Sequence, residues 1–435
     1  MRDTHGWRNW GGNQRCRPAV VESPRSDLEV AEAVRRARDA GQTVKVVGTG
    51  HSFTDIACTT GRMLSIDHLD RVVDVDLDAC TITVEAGITI HRLNEELATR
   101  GLALANLGDI DCQTIAGAIS TATHGTGATF GGLATFVRGL ELVTADGEVL
   151  RCSGDEEPEA FHAARVGLGA LGVLTRVTLQ CVPAFTLHHL ETRRHLDGVL
   201  DELDQLVDAN EHFEFYWMPH TDACATIANN RTDDPPIVKS GYKRWRAEVF
   251  YPNYFFGAIV KVGRVLPRFV PRLNALVAGG IGTTELVNRS DQILVSTRIV
   301  RFVEMEYAVP RARALDAVRG VQDVVEQNDL RVSFPIEVRF TAPDDIPLST
   351  AYGRDTCYVA VHQARGVEYE PYFRAVEQLM DGLGGRPHWG KMHYQSAATL
   401  AARYPEWDAF QAVRRKLDPE NRFTNAYLDR VLGAA

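Results

Sequence analysis

The chain reads as an α+β protein built in two domains. Three observations lead there. Its 435 residues are more than one hydrophobic core ordinarily organises. From about Ser26 to Gln180, short β-branched runs alternate with helical ones, and from about Pro183 the texture turns strand-rich with a few long helices.

Taken in order, LEVAEAVRRARDAG (Leu28 to Gly41) has helical periodicity and stops at a glycine. VKVV (Val44 to Val47) is a β-branched strand that runs into a turn at Gly48 and Gly50. VVDVDLDACTITVEAG (Val72 to Gly87) reads as two strands joined at Asp78-Ala79, and ITIHRLNEELATRG (Ile88 to Gly101) as a second helix. LELVTADGEVLRC (Leu140 to Cys152) is a hairpin around Asp146-Gly147. Later, HFEFYWMP, VSTRIVRFVEMEYAVP and RVSFPIEVRF are strand-like, while ALDAVRGVQDVVEQNDL and YFRAVEQLMDGLGG are helical. The expected division is 1–182, then a sheet-and-helix unit over 183–404, with 405–435 returning to the first domain.

Composition narrows the function classes. A net charge of −10 argues against a nucleic-acid partner. MRDTHGWRNWGG lacks the apolar core of a signal peptide, and no run is long and apolar enough to span a bilayer. The eight cysteines are scattered, without a C-x-x-C pair, so no metal site is expected and reduced thiols in a cytoplasm are. His188 and His189 are sequence neighbours, on opposite faces of any strand, and make a poor metal site. Between Glu248 and Glu285 no acid occurs, while Lys261, Arg264, Arg268 and Arg272 recur among Phe, Val and Leu. That spacing suits a basic surface for a membrane or an electron acceptor, or more plainly a solvated or partner-covered face; Pro267 and Pro271 break any simple helix there.

Four stretches carry chemistry. VKVVGTGHSFT (Val44 to Thr54) is a strand entering a glycine turn whose backbone N–H groups can converge on an anion, with His51 just beyond. NLGDIDCQTIAGAISTATHGTG (Asn106 to Gly127) is rich in small and hydroxyl residues, which let backbone pack on a planar ring; IAGAISTA also reads as a core helix. FPIEVRF puts Glu337 and Arg339 on one strand face, as a substrate pair or a surface ion pair. GRPHWGK puts His388 and Lys391 around Trp389. Gly167 to Gly172 matches G-x-G-x-x-G, but a helix precedes it and a strand follows, the reverse of the dinucleotide fingerprint.

Together these motifs resemble the vanillyl-alcohol-oxidase superfamily and, within it, the sugar-1,4-lactone oxidoreductases, over nearly the whole chain. DTCY (Asp355 to Tyr358), MEYAVPR (Met305 to Arg311) and the ending KLDPENRFTNAYLDRVLG bring it nearest the L-gulono-1,4-lactone type. The resemblance implies a vanillyl-alcohol-oxidase-type (PCMH) FAD-binding domain and a cap domain of the aldonolactone-oxidase type. Its implied FAD contacts are Val47, Gly48, Thr49, Gly50, His51, Ser52, Phe53, Gly108, Asp109, Thr114, Gly117, Ala118, Ser120, Thr121, His124, Gly125 and Val173. It implies a covalent link from His51 to FAD; Cys112 sits in a Cys-x-Thr-Ile order but lacks the flanking glycines of doubly linked relatives, so a second bond is not expected. Glu337, Arg339, Lys391 and His388 are the implied catalytic set. The implied reaction is oxidation of an aldono-1,4-lactone at C2, as in L-gulono- and D-arabinono-1,4-lactone oxidases of ascorbate-type pathways. Electrons would pass to oxygen or a redox carrier. An alditol oxidase acting on sorbitol or xylitol, a dehydrogenase, and a flavin-binding protein without catalysis are the rivals.

Overall fold

The computed structural model describes residues 6–433. In its first part, the strand Val44–Val47 lies parallel to Arg62–Ser65, which also pairs in parallel with Val20–Glu22. The helix Asp27–Asp39 covers this region. Ser26 caps its N-terminus by accepting from the Glu29 N–H, and Gly41 takes a positive φ of 64° just beyond its end. An antiparallel five-stranded sheet follows, ordered Val149–Ser153, Val137–Val143, Val173–Gln180, Thr81–Glu85, Val72–Asp76. The hairpin at Asp146-Gly147 forms as expected, with Val149 opposite Val143.

The second part is an eight-stranded antiparallel sheet, ordered Thr284–Arg289, Thr186–His195, Ala223–Arg231, His212–Trp217, Ile336–Thr341, Thr356–Ala364, Phe302–Pro310, Arg386–Pro387. One face is apolar: Phe215, Trp217, Ile336, Val338, Val359, Val361 and Met305 are buried there with the helices Ala314–Gln327 and Glu370–Gly382. Alternation then sends every second residue to the other face, and that face is polar. Of the run 295–310, only Phe302–Pro310 is strand.

The chain crosses between the two cores more than once. Phe410, Phe423, Tyr427 and Val431 pack into the first core, but so do Ile346, Leu348, Trp389 and Tyr404, which precede residue 405. The Asn425 amide donates to the carbonyls of Asp55, Ile56 and Cys58, fastening the C-terminal helix to the loop that carries His51.

Candidate functional site

Two connected hollows meet at His51, Ser52, Gln113 and Thr121. The first is a cleft walled by Val47–Ser52, by Thr114–Thr121 of the second motif, and by Gly167–Gly172. Its glycines are needed for space. A Cβ on Gly48 would lie 2.4 Å from Thr114 Oγ1, and that hydroxyl is occupied in capping the helix Ile115–Ser120 through the Gly117 N–H at 3.2 Å. Gly50 has a φ of 74°, in the left-handed region. The cleft's lining of close-approaching backbone and small hydroxyl side chains fits a dinucleotide cofactor with a pyrophosphate. The G-x-G-x-x-G run does sit between the helix Pro158–Ala164 and the strand Val173–Gln180, yet its glycines wall this cleft.

The second hollow is a cavity of about 740 Å³ whose floor is the polar face of the eight-stranded sheet. Directly opposed residues in an antiparallel sheet share a face. Tyr216 stands opposite Glu337, Glu337 opposite Ala360, and Ala360 opposite Glu306. Glu304 stands opposite His362, and Arg339 opposite Tyr358. One sheet face thus collects the acids and the guanidinium, and the loop after Arg386–Pro387 adds His388 and Lys391.

Arg339 Nε lies 2.5 Å from Glu337 and 2.6 Å from Glu214, and its Nη2 donates to the Tyr216 hydroxyl at 3.2 Å. Burial alone would weaken this guanidinium, but Glu214 and Glu337 outweigh it and hold its pKa well above the usual value. Burial, with Glu337 and Asp109 adding to it, pushes the Glu214 carboxyl up to about 7 although Arg339 opposes the shift. Lys391 is paired with Glu304 and sits over the Phe53 ring at 5.4 Å; burial works against its charge, but Glu304 and Glu306 overcome this and raise its pKa. Glu306 lies 3.2 Å from His124 Nε2, and despite burial the His124 neighbour keeps its carboxyl low.

Two histidines are held neutral. Burial, reinforced by Lys391, lowers His388 to about 3. Its Nδ1 accepts from the Gly390 N–H at 3.0 Å, so the neutral ring carries its proton on Nε2 and acts as a donor there. Burial and then Lys391 lower His51 to about 4. His51 stacks on Trp10 at 5.3 Å, and its Nε2 lies 3.2 Å from Cys112 Sγ. Burial raises the Cys112 pKa, which keeps the thiol protonated near neutral pH.

Of the residues picked from sequence, Glu337, Arg339, His388 and Lys391 converge on the cavity, together with His51, Ser52, Phe53, Gly108, Asp109, Thr121 and His124. Val47 to Ser52, Thr114, Gly117, Ser120 and Thr121 wall the cleft. Ala118, Gly125 and Val173 do not reach either wall: Ala118 and Val173 face the first core, and Gly125 packs on Leu107 and Asn106. The IAGAISTA stretch is a helix and a cleft wall at once. Asp109 is bound by Arg298 at 2.7 Å and by Ser296 at 2.6 Å, which ties the second motif to the cap. Sequence reading missed Trp10, Glu214, Tyr216, Glu304 and Glu306. The acids had a signal: Glu214-x-Tyr216 and Glu304-x-Glu306 put polar residues at every second position of otherwise apolar strands, as Glu337-x-Arg339 does. The donor atoms of His124, Glu306 and His388 all fall within 4.8 Å of one another, a grouping drawn from distant parts of the chain.

Comparison with known proteins agrees with this geometry. Residues 18–153 match the FAD binding domain family, and residues 177–431 match the D-arabinono-1,4-lactone oxidase family. The chain is 50% identical over 427 residues to an L-gulono-1,4-lactone dehydrogenase of Mycobacterium tuberculosis, covering 98% of this chain and 99% of that one. It is 38% identical to the L-gulonolactone oxidase of Bos taurus, covering 98% and 99%. A solved solvent-stable cholesterol oxidase superposes with a TM-score of 0.84 at 18% identity, covering 99% of this chain and 97% of that one, a likeness of fold.

Proposed function

The chain belongs to the D-arabinono-1,4-lactone oxidase family of FAD-dependent oxidoreductases, and on that premise we propose that it oxidises the C2 hydroxyl of an aldono-1,4-lactone of the L-gulono type. The observation that carries this reading is the polar sheet face, where Arg339, Lys391 and Glu337 meet a neutral His388 in one cavity opening onto the glycine-walled cleft. FAD, when bound through Val47–Ser52, Thr114–Thr121 and Gly167–Gly172, supplies the two-electron acceptor.

Within the cavity, Glu337 accepts a hydrogen bond from the substrate hydroxyl. As that oxygen loses its proton it gains negative charge, which Arg339 and Lys391 stabilise and the His388 Nε2–H supports as a donor. Glu214 and Tyr216 hold the guanidinium in place from behind. Glu304 keeps Lys391 cationic. A 2-keto lactone so formed enolises to an ascorbate-type enediol. The neutral His51 imidazole is fit to attack an electrophilic ring-methyl carbon, and we assign it the covalent attachment of the cofactor.

The test is a rate panel of L-gulono-1,4-lactone, other aldonolactones, sorbitol and xylitol, each with oxygen and with an artificial dye as acceptor. Turnover of the lactones well ahead of the polyols is expected. Faster turnover of the polyols would replace this reading with an alditol oxidase, and the two acceptor arms separate oxidase from dehydrogenase.

A further inference from the structure

The described surface concentrates its exposed apolar side chains in one place. Of eighteen large hydrophobic residues exposed among the described residues, eleven lie between Ile237 and Leu276, including every exposed aromatic: Tyr242, Trp245, Tyr251, Tyr254 and Phe255. In a chain of net charge −10, residues 237–280 carry eight Lys or Arg and a single acid, Glu248. Monomeric proteins seldom leave such a patch bare without a binding role.

The patch is a helical face with a fixed orientation. The chain is continuously helical over Arg246–Phe255 and Phe256–Val265, turns at Pro267–Phe269, and continues as Val270–Gly279. Its inner side is anchored. The Asn253 amide donates to Thr297 O and accepts from the Ile299 N–H, Phe256 meets the Phe334 ring edge-on, and Asn274 donates to Pro219 O and Val332 O. The outer side bears Tyr251, Phe255, Val262, Val265 and Leu266, spaced three or four apart. Lys261, Arg264, Arg268 and Arg272 flank this stripe, and none pairs with a carboxylate among the described residues. The sequence left a solvated face as the plainer reading of these charges, but a solvated face does not explain the exposed apolar stripe between them.

We infer that this face docks on an anionic lipid bilayer, with the turn around Val265 and Leu266 set into the headgroup boundary and the unpaired cations on lipid phosphates. The mixture is that of an interfacial helix: aliphatic residues at the tip, Tyr and Trp beside them, and Lys and Arg around the edge. Unpaired cations facing outward also complement the negative charge of acidic lipids. The docking is peripheral, because no helix of the described residues is long and apolar enough to cross a membrane. The inner side of the same helical stretch lines the cavity through Ala247, Pro252, Asn253 and Phe256, so the docked face and the cavity share one wall.

Co-sedimentation of the flavin-loaded protein with vesicles tests this. Vesicles of pure phosphatidylcholine are compared with vesicles of phosphatidylcholine mixed with phosphatidylglycerol, at low and high salt. Binding to the acidic vesicles that weakens with salt is expected. Val265→Glu/Leu266→Glu should lower the bound fraction by roughly tenfold or more, and Lys261→Ala/Arg264→Ala/Arg268→Ala should do likewise, while dye-coupled activity and thermal midpoint stay as in the parent. Failure of the parent to sediment with acidic vesicles, or equal binding by the Val265→Glu/Leu266→Glu variant, overturns the inference. So does sedimentation velocity showing a dimer that this variant converts to monomer, since the face then belongs to a second copy of the chain.

Discussion

Replacing Arg339 by lysine separates the job of its guanidinium from its charge. The residue is 7% exposed, with Nε against both Glu337 and Glu214 and Nη2 on the Tyr216 hydroxyl. Alanine is a poor probe here: it leaves two buried carboxylates facing each other, a loss of about 3–5 kcal/mol that threatens folding. Lysine keeps the positive charge but reaches one partner at a time, without the planar fork. Each hydrogen bond to a charged group is worth about 1.5–3 kcal/mol. The donor aimed at the developing oxyanion is the one Arg339→Lys removes, so kcat/KM should fall on the order of 10²-fold, at roughly 1.4 kcal/mol per tenfold. The assay is steady-state turnover of L-gulono-1,4-lactone with a dye acceptor, beside a thermal melt and the flavin absorbance of the purified protein. A melt and flavin content like the parent's with kcat/KM reduced are expected. Parental kcat/KM in Arg339→Lys would refute the placement of this guanidinium on the reacting oxygen.

Three other perturbations follow from the same geometry. Glu304→Gln removes the acid that raises the Lys391 pKa; a lysine with a raised pKa is charged at low pH and loses its proton as pH rises through that value, so the alkaline loss of kcat/KM should move to lower pH in the variant. His51→Ala should retain FAD through the cleft yet lose the flavin fluorescence that stays with denatured parent protein on a gel; peptide mass mapping of the parent should place the flavin mass on His51 and none on Cys112, whose thiol is held protonated. Gly48→Ala places a Cβ against Thr114 Oγ1, costing about 1–3 kcal/mol of overpacking, while Thr114→Ala alone loses a cap worth about 1 kcal/mol; because the second change removes the clash, thermal melts of the double variant should show less loss than the sum of the singles.

What was legible from sequence had a local signature. Strand, turn and glycine run consecutively in VKVVGTGHS, so the cleft wall could be read without knowing the fold. Glu337 and Arg339 were legible because a two-residue spacing fixes their shared face whatever the strand pairs with. The reversed order around Gly167 to Gly172 was equally local. Glu214, Glu304 and Glu306 needed the sheet order: only the register Tyr216–Glu337–Ala360–Glu306 shows that acids on three strands stand in one row. Trp10 was invisible for another reason. Its N–H is held by Gly50 O at 2.8 Å, a loop contact with no periodicity behind it. Ala118 and Val173 were chosen by proximity in sequence, and alternation turned them to the core instead.

The distribution of charge in the cavity bears on which form of a sugar acid enters. Its lining includes eight carboxylates against five Lys or Arg side chains. The inner cations are already compensated: Arg339 by Glu337 and Glu214, Lys391 by Glu304, and Arg298 by Asp109. A neutral lactone offers hydroxyls that these ion pairs can orient without breaking any of them. The ring-opened aldonate offers a carboxylate, which would have to displace one of the acids or lie among them uncompensated, and like charges juxtaposed in a buried site are costly. Freshly dissolved lactone should therefore turn over while the same compound opened with base is neither oxidised nor inhibitory, with its apparent affinity lower by on the order of tenfold or more. Comparable turnover of the aldonate salt would show that a cation in this cavity is free to bind an anion. Because Arg339 is the cation most closely held by acids, the selectivity for the closed ring and the stabilisation of the reacting oxygen come from one arrangement: a guanidinium kept charged by carboxylates that also exclude a charged substrate.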